Sequence, residues 1–131
     1  MGLVYISGTV SNNGKSVRLN FLVDGGAKYT LLPLKAWKAL RLKSMRSLEF
    51  ILADGTPVVR HLSECLIRLP QGSGHTPVIL GEKNDAALLG VITIEEFGLT
   101  LNPFERTLQP ARMMLAAMKL EYLQKEERRC G

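Results

Sequence analysis

The stretch FLVDGGAKYTLLP, Phe21 to Pro33, decides how this chain is read. An apolar run ends in an acid, two glycines follow, and a second apolar run begins. One reading makes Asp24-Gly25 a hairpin turn, because Asp-Gly supplies the positive φ that tight turns between strands need. The other makes Asp24 a functional carboxylate at the end of a core strand. The small residues behind it then let another backbone come close. The stretch alone leaves both open.

Working outward, most of the chain reads as short strands and turns. LVYISGTV and KSVRLNFLV flank SNNG, and Asn-Gly there predicts a two-residue hairpin turn. Pro33 is preorganised to open a helical turn through Trp37 and Leu40. LEFILADGTPVVRHLSECLIRL predicts a second hairpin with Asp54-Gly55 at its tip. HTPVIL and AALLGVITI are buried strand candidates, TIEEFGL is a helical turn closed by Gly98, and LTLNP with RTLQP forms a last strand pair. The tail from Ala111 is rich in strong helix formers. Leu115, Met118 and Tyr122 set an apolar stripe for a helix that packs on its own domain or meets a partner subunit.

Composition narrows the function classes. The 131 residues suit one compact domain, and 46% hydrophobic with 22% charged residues predicts a buried core. The net charge of +5 gathers in Lys35–Arg46 and Lys119–Arg129. With only 6% aromatics and no nucleic-acid-binding motif, it reads as solvated surface, and nucleic acid is not the expected partner. Cys65 and Cys130 form neither a disulfide framework nor a zinc motif, and Cys65 reads as a core residue. His61 and His75 have no partner at ligand spacing and read as surface or hairpin-stem residues. No metal site, cofactor, signal peptide or membrane span is expected. The expected setting is a reduced, cytoplasmic one, with the chain either whole or a domain of a larger protein.

At this point the chain resembles the retropepsin-like (retroviral-type) aspartic proteases. The resemblance is carried by an ordered set: Asp24-Gly25-Gly26-Ala27 with Thr30 to Pro33, then Ala53-Asp54-Gly55, Leu88-Leu89-Gly90, Gly98 to Pro103, and Leu108 to Pro110. It implies an all-β acid-protease barrel over residues 1–110, with one short internal helix, and a C-terminal helical tail over 111–131. It also implies a homodimeric endopeptidase without metal or cofactor, acting on peptide or protein substrates. Two copies of Asp24 would share a proton and activate a water between them. Gly25, Gly26, Ala27 and Lys28 would form the active-site loop. Asp54, Gly55 and Thr56 would be the tip of a flap that closes over the substrate.

Three positions depart from that family's pattern. Gly25 stands where the family has Thr or Ser, whose hydroxyl bonds across the dimer axis. Lys28 stands where retroviral members carry an acid that contacts substrate. It would favour acidic peptides, and would favour ionised aspartates if it pointed at them. Val91 replaces a frequent polar residue and reads as packing variation. The alternative function is therefore a weak or inactive retropepsin-like dimerisation or peptide-binding module, with Gly25 as its cause.

Overall fold

The structure, a computed structural model, describes residues 3–111. The chain opens with β1 (Tyr5–Asn12) and β2 (Lys15–Val23), an antiparallel hairpin. Its turn residues Asn13 and Gly14 have φ of 47° and 79°, as the Asn-Gly signal predicts. Then come β3 (Thr30–Leu32) and helix α1 (Leu34–Ala39), which Pro33 leads into. β4 (Arg46–Ile51) and β5 (Pro57–Leu69) form the second hairpin, followed by β6 (Gly72–Leu80) and β7 (Leu88–Leu89). Helix α2 (Val91–Glu96) leads into the hairpin of β8 (Leu99–Asn102) and β9 (Thr107–Pro110).

Six strands in the order β1-β2-β7-β3-β6-β5 close into a barrel through the β1–β5 pairing. Closure leaves no free edge around the ring. Phe21, Leu32, Ile67, Val78 and Leu89 lie fully inside, with Val10 and Leu40. The alternation along β1 and the end of β2 puts Val4, Ile6, Phe21 and Val23 inward.

Two expectations need correction. AALLGVITI is not one strand: β7 keeps only Leu88–Leu89, and Val91–Glu96 is helix. An apolar run of that length does not separate strand from buried helix by periodicity. The turn at Pro33 is a six-residue helix, so the described residues hold two short internal helices instead of one. Gly98, at φ 68°, closes α2 as expected. The expected C-terminal helix falls on residues outside those described.

β5 is longer than the barrel needs. Its residues Leu62–Leu69 pair with β6, but Pro57–His61 pair only with β4. The β4–β5 hairpin thus extends from the barrel as a two-stranded arm, exposed from Ile51 through Pro57.

Candidate active site

The decisive feature is what lies between β2 and β3. They are not hydrogen-bonded neighbours. β7 runs between them, parallel to β2 at Leu22↔Leu88 and Val23↔Leu89, and antiparallel to β3 at Leu31↔Leu88. A hairpin turn bridges one interstrand spacing, whereas the loop from Asp24 to Tyr29 bridges two, about 10 Å. Neither Gly25 nor Gly26 adopts positive φ. Asp24 is therefore not in a hairpin turn. It leaves a core strand into a loop that arches over β7.

Backbone bonds hold both ends of this loop. At the near end, Asp24 N–H donates to Leu89 O at 3.1 Å, and Ala27 N–H closes a turn onto Asp24 O at 3.1 Å. At the far end, Val91 N–H donates to Ala27 O at 2.8 Å and Ile92 N–H to Lys28 O at 2.9 Å. Those two donors open α2, where a helix has no internal acceptors for them. Gly90 passes directly beneath. A Cβ there would stand 2.3 Å from the Tyr29 carbonyl carbon, so only glycine allows the loop this seat.

The Asp24 side chain is half-buried, and its Oδ1 accepts from Gly26 N–H at 2.9 Å. Gly25 and Gly26 are exposed, and a Cβ on Gly25 would meet nothing within 4 Å. Lys28 is exposed and makes no ion pair with Asp24; the one salt bridge among the described residues joins Arg60 to Glu82 at 2.9 Å.

The arm stands over this same end of the barrel. Phe50 of β4 meets Tyr29 of the loop edge-on, with ring centroids 6.1 Å apart. The Arg60–Glu82 bridge ties β5 to the loop that leads toward β7. At the arm's tip Gly55 has φ 88°, and Thr56 N–H donates to Asp54 Oδ1 at 2.9 Å. That bond holds the Asp54 carboxyl below its usual range.

Other candidate chemistry falls away. Burial and the neighbouring Glu64 push the Cys65 thiol up to about 12, so it stays protonated and is no nucleophile. His61 Nδ1 lies 3.0 Å from Ser44 Oγ and 3.1 Å from Ser47 Oγ at the base of the arm. His75 sits exposed on β6. Among the described residues no three His, Cys, Asp or Glu side chains gather as metal ligands, and no helix is long and apolar enough to cross a membrane.

The sequence reading missed three buried hydroxyls. Thr30, Thr76 and Thr93 come from β3, β6 and α2 and meet in a chain beneath the loop. A signal existed. Thr30 and Thr93 are lone hydroxyls in the otherwise apolar runs TLLP and VITI, and a buried hydroxyl needs a partner.

No protein-family model matches the chain, and no curated protein matches it by sequence. Among solved structures, the Simian Foamy Virus (mac) protease superposes with a TM-score of 0.53 at 13% identity. The match covers 70% of this chain and 91% of that one. The fold is that of a retroviral protease. At this identity the likeness speaks for architecture, and the chemistry has to be argued from the chain's own residues.

Proposed function

We propose that the chain is one half of a homodimeric aspartic endopeptidase, with Asp24 as its catalytic residue and residues 1–110 as the protease domain. One observation carries this reading: Asp24 leaves barrel strand β2 in a loop that spans β7, with exposed glycines directly behind the acid. A single chain brings one such carboxylate to an open surface. A second copy, related by a two-fold axis, would bring the other. The pair would share one proton. The ionised member would take a proton from the water attacking the peptide carbonyl, and the protonated member would donate to the carbonyl oxygen. The β4–β5 arm would act as the flap. It meets the Asp24 loop through Phe50 and is tied by Arg60 to Glu82 on the segment before β7, and its tip at Asp54, Gly55 and Thr56 is exposed and able to close on a peptide.

A second reading has its own observation. Gly25 carries no hydroxyl, and its Cβ position faces empty space. No cross-axis bond would then tighten the two loops, and the chain would be a weak protease or a peptide-binding dimer. A peptide-library cleavage assay from acid to neutral pH, run over a protein dilution series, separates the two. Endopeptidase action gives cleavage that falls steeply as the dimer dissociates. Peptide binding without cleavage at any pH supports the second reading and removes the first.

A further inference from the structure

We propose that the hydroxyl chain Thr30–Thr93–Thr76 positions the Asp24 loop, with Thr93 as its central positioning residue; the catalytic part of this inference rests on the endopeptidase reading above. The three side chains have 0%, 0% and 1% exposure. Thr93 Oγ1 lies 2.6 Å from Thr30 Oγ1 and 2.8 Å from Thr76 Oγ1. Gly90 N–H donates to Thr30 Oγ1 at 3.0 Å, so the Thr30 hydroxyl joins the Gly90 backbone to Thr93.

Valine would fill these three sites at nearly the same volume and without a hydroxyl to desolvate. What the hydroxyls add is direction: an apolar contact tolerates sliding, while a short O–H···O bond fixes both partners. The segment they fix is the one on which the Asp24 loop hangs. Leu89 O receives Asp24 N–H, and the Val91 and Ile92 N–H groups hold Ala27 and Lys28. All three anchors lie within Leu89–Thr93. That segment is located by one bond from Gly90 to β3 and by Thr93's links to β3 and β6. A shift of α2 along its axis would move the far end of the loop, and with it the carboxylate.

The test uses Thr93→Val, Thr93→Ser and Thr76→Val. The first reading is amide hydrogen exchange at Asp24, Val91 and Ile92, compared with amides of the β1–β2 ladder as a gauge of global stability. The second is kcat and KM on the best peptide found for the parent. Thr93→Val should speed exchange at the three anchors about tenfold more than in the ladder, and lower kcat about tenfold with KM within about threefold. Thr93→Ser, which keeps the hydroxyl, should restore both, and Thr76→Val should give a smaller effect of the same kind. If Thr93→Val does not fold, the other two variants decide: Thr76→Val must loosen the anchors and Thr93→Ser must not. The inference is overturned if the anchors only ever exchange in step with the ladder, or if Ser is no better than Val. A parent that cleaves nothing removes the endopeptidase reading, and the exchange comparison still decides whether the hydroxyls set the loop.

Discussion

Two Asp-Gly segments in this chain share their local chemistry and differ in what lies under them. At Asp24 and at Asp54 the carboxylate accepts from the backbone N–H two residues on, at 2.9 Å in each case. Both come after a strand with an apolar end, Phe21–Val23 in one case and Phe50–Ile51 in the other. Yet Gly55 takes φ 88° and turns β4 directly into its neighbour β5, whereas the Asp24 loop has no positive φ and clears a third strand. The bond between an Asp and its i+2 amide is therefore a local habit of the residue. The topology decides whether the acid caps a turn or stands over a barrel. Asp24 rests on β7, α2 and the hydroxyl chain below them, while Asp54 rests on its own hairpin.

The largest expected difference between the two acids is catalytic. Asp24→Asn should lower any peptide hydrolysis by about a thousandfold or more, because it removes the acid–base group and keeps the shape. Its thermal melt should match or exceed that of the parent, since two facing carboxylates would repel in the proposed dimer. Asp54→Asn should retain most activity in the same assay. Equal losses at the two positions would erase the distinction and, with it, the role given to Asp24.

The supporting layers can be broken without touching either acid. Gly90→Ala would put a methyl 2.3 Å from the Tyr29 carbonyl carbon, against backbone that has no slack. About 3 kcal/mol of destabilisation is expected, at the upper end of overpacking costs. Gly55→Ala finds no neighbour within 4 Å and meets only the strain of positive φ, about 1 kcal/mol. Chemical denaturation of the two variants should keep that order.

These contrasts mark what the sequence made legible. The Asn13-Gly14 and Asp54-Gly55 hairpins, the β8–β9 pair and the glycine closing α2 all depend on signals a few residues long, and each was readable in place. The order of the family-like pieces pointed to the barrel. β7 was legible as the Leu88-Leu89-Gly90 piece, though its end was blurred because Val91 to Ile94 continue the apolar run as helix; its place between β2 and β3 was hidden because two residues do not encode their pairing partners. Thr30, Thr76 and Thr93 were hidden because their meeting depends on a parallel β3–β6 register and on where α2 lands. Neither is encoded within any one of the three segments. Asp24 was thus visible as one of two options, and the placement of the strand that decides between them was not.

One substitution should act with opposite sign at the two glycines. Gly25→Thr places its side chain in open space at an ordinary φ, so the single chain should tolerate it. In the dimer it would add the missing hydroxyl twice. About 2 kcal/mol of tighter association is expected, or roughly a thirtyfold lower dimer Kd. Gly55→Thr forces a β-branched residue to φ 88° and should cost the fold about 1–2 kcal/mol. Sedimentation equilibrium and melts over a dilution series read both. A destabilised Gly25→Thr with unchanged association would mean that the Asp24 loop faces no second copy.

The smallest expected effect belongs to the arm tip. The Asp54 carboxyl is held below its usual value of 3.8, first by the backbone N–H of Thr56 and next by the Thr56 hydroxyl. A folded-state value below the unfolded one means that the ionised acid favours the folded turn. That contribution is complete above the unfolded value and is lost as the pH falls through the lowered folded value. The parent should therefore lose a little more melting temperature than Asp54→Asn on going from neutral to strongly acid solution, and the two curves should run parallel at higher pH. Asp54 is fully exposed, so solvent screens the effect and it should be small beside those above. The direct measurement is the carboxyl carbon shift of Asp54 followed through an acid titration. A midpoint below 3.8 agrees with the bond to Thr56 seen at 2.9 Å. A midpoint at or above it would mean that the turn opens in solution, and that Asp54 lacks even the local hold that the two acids are said to share.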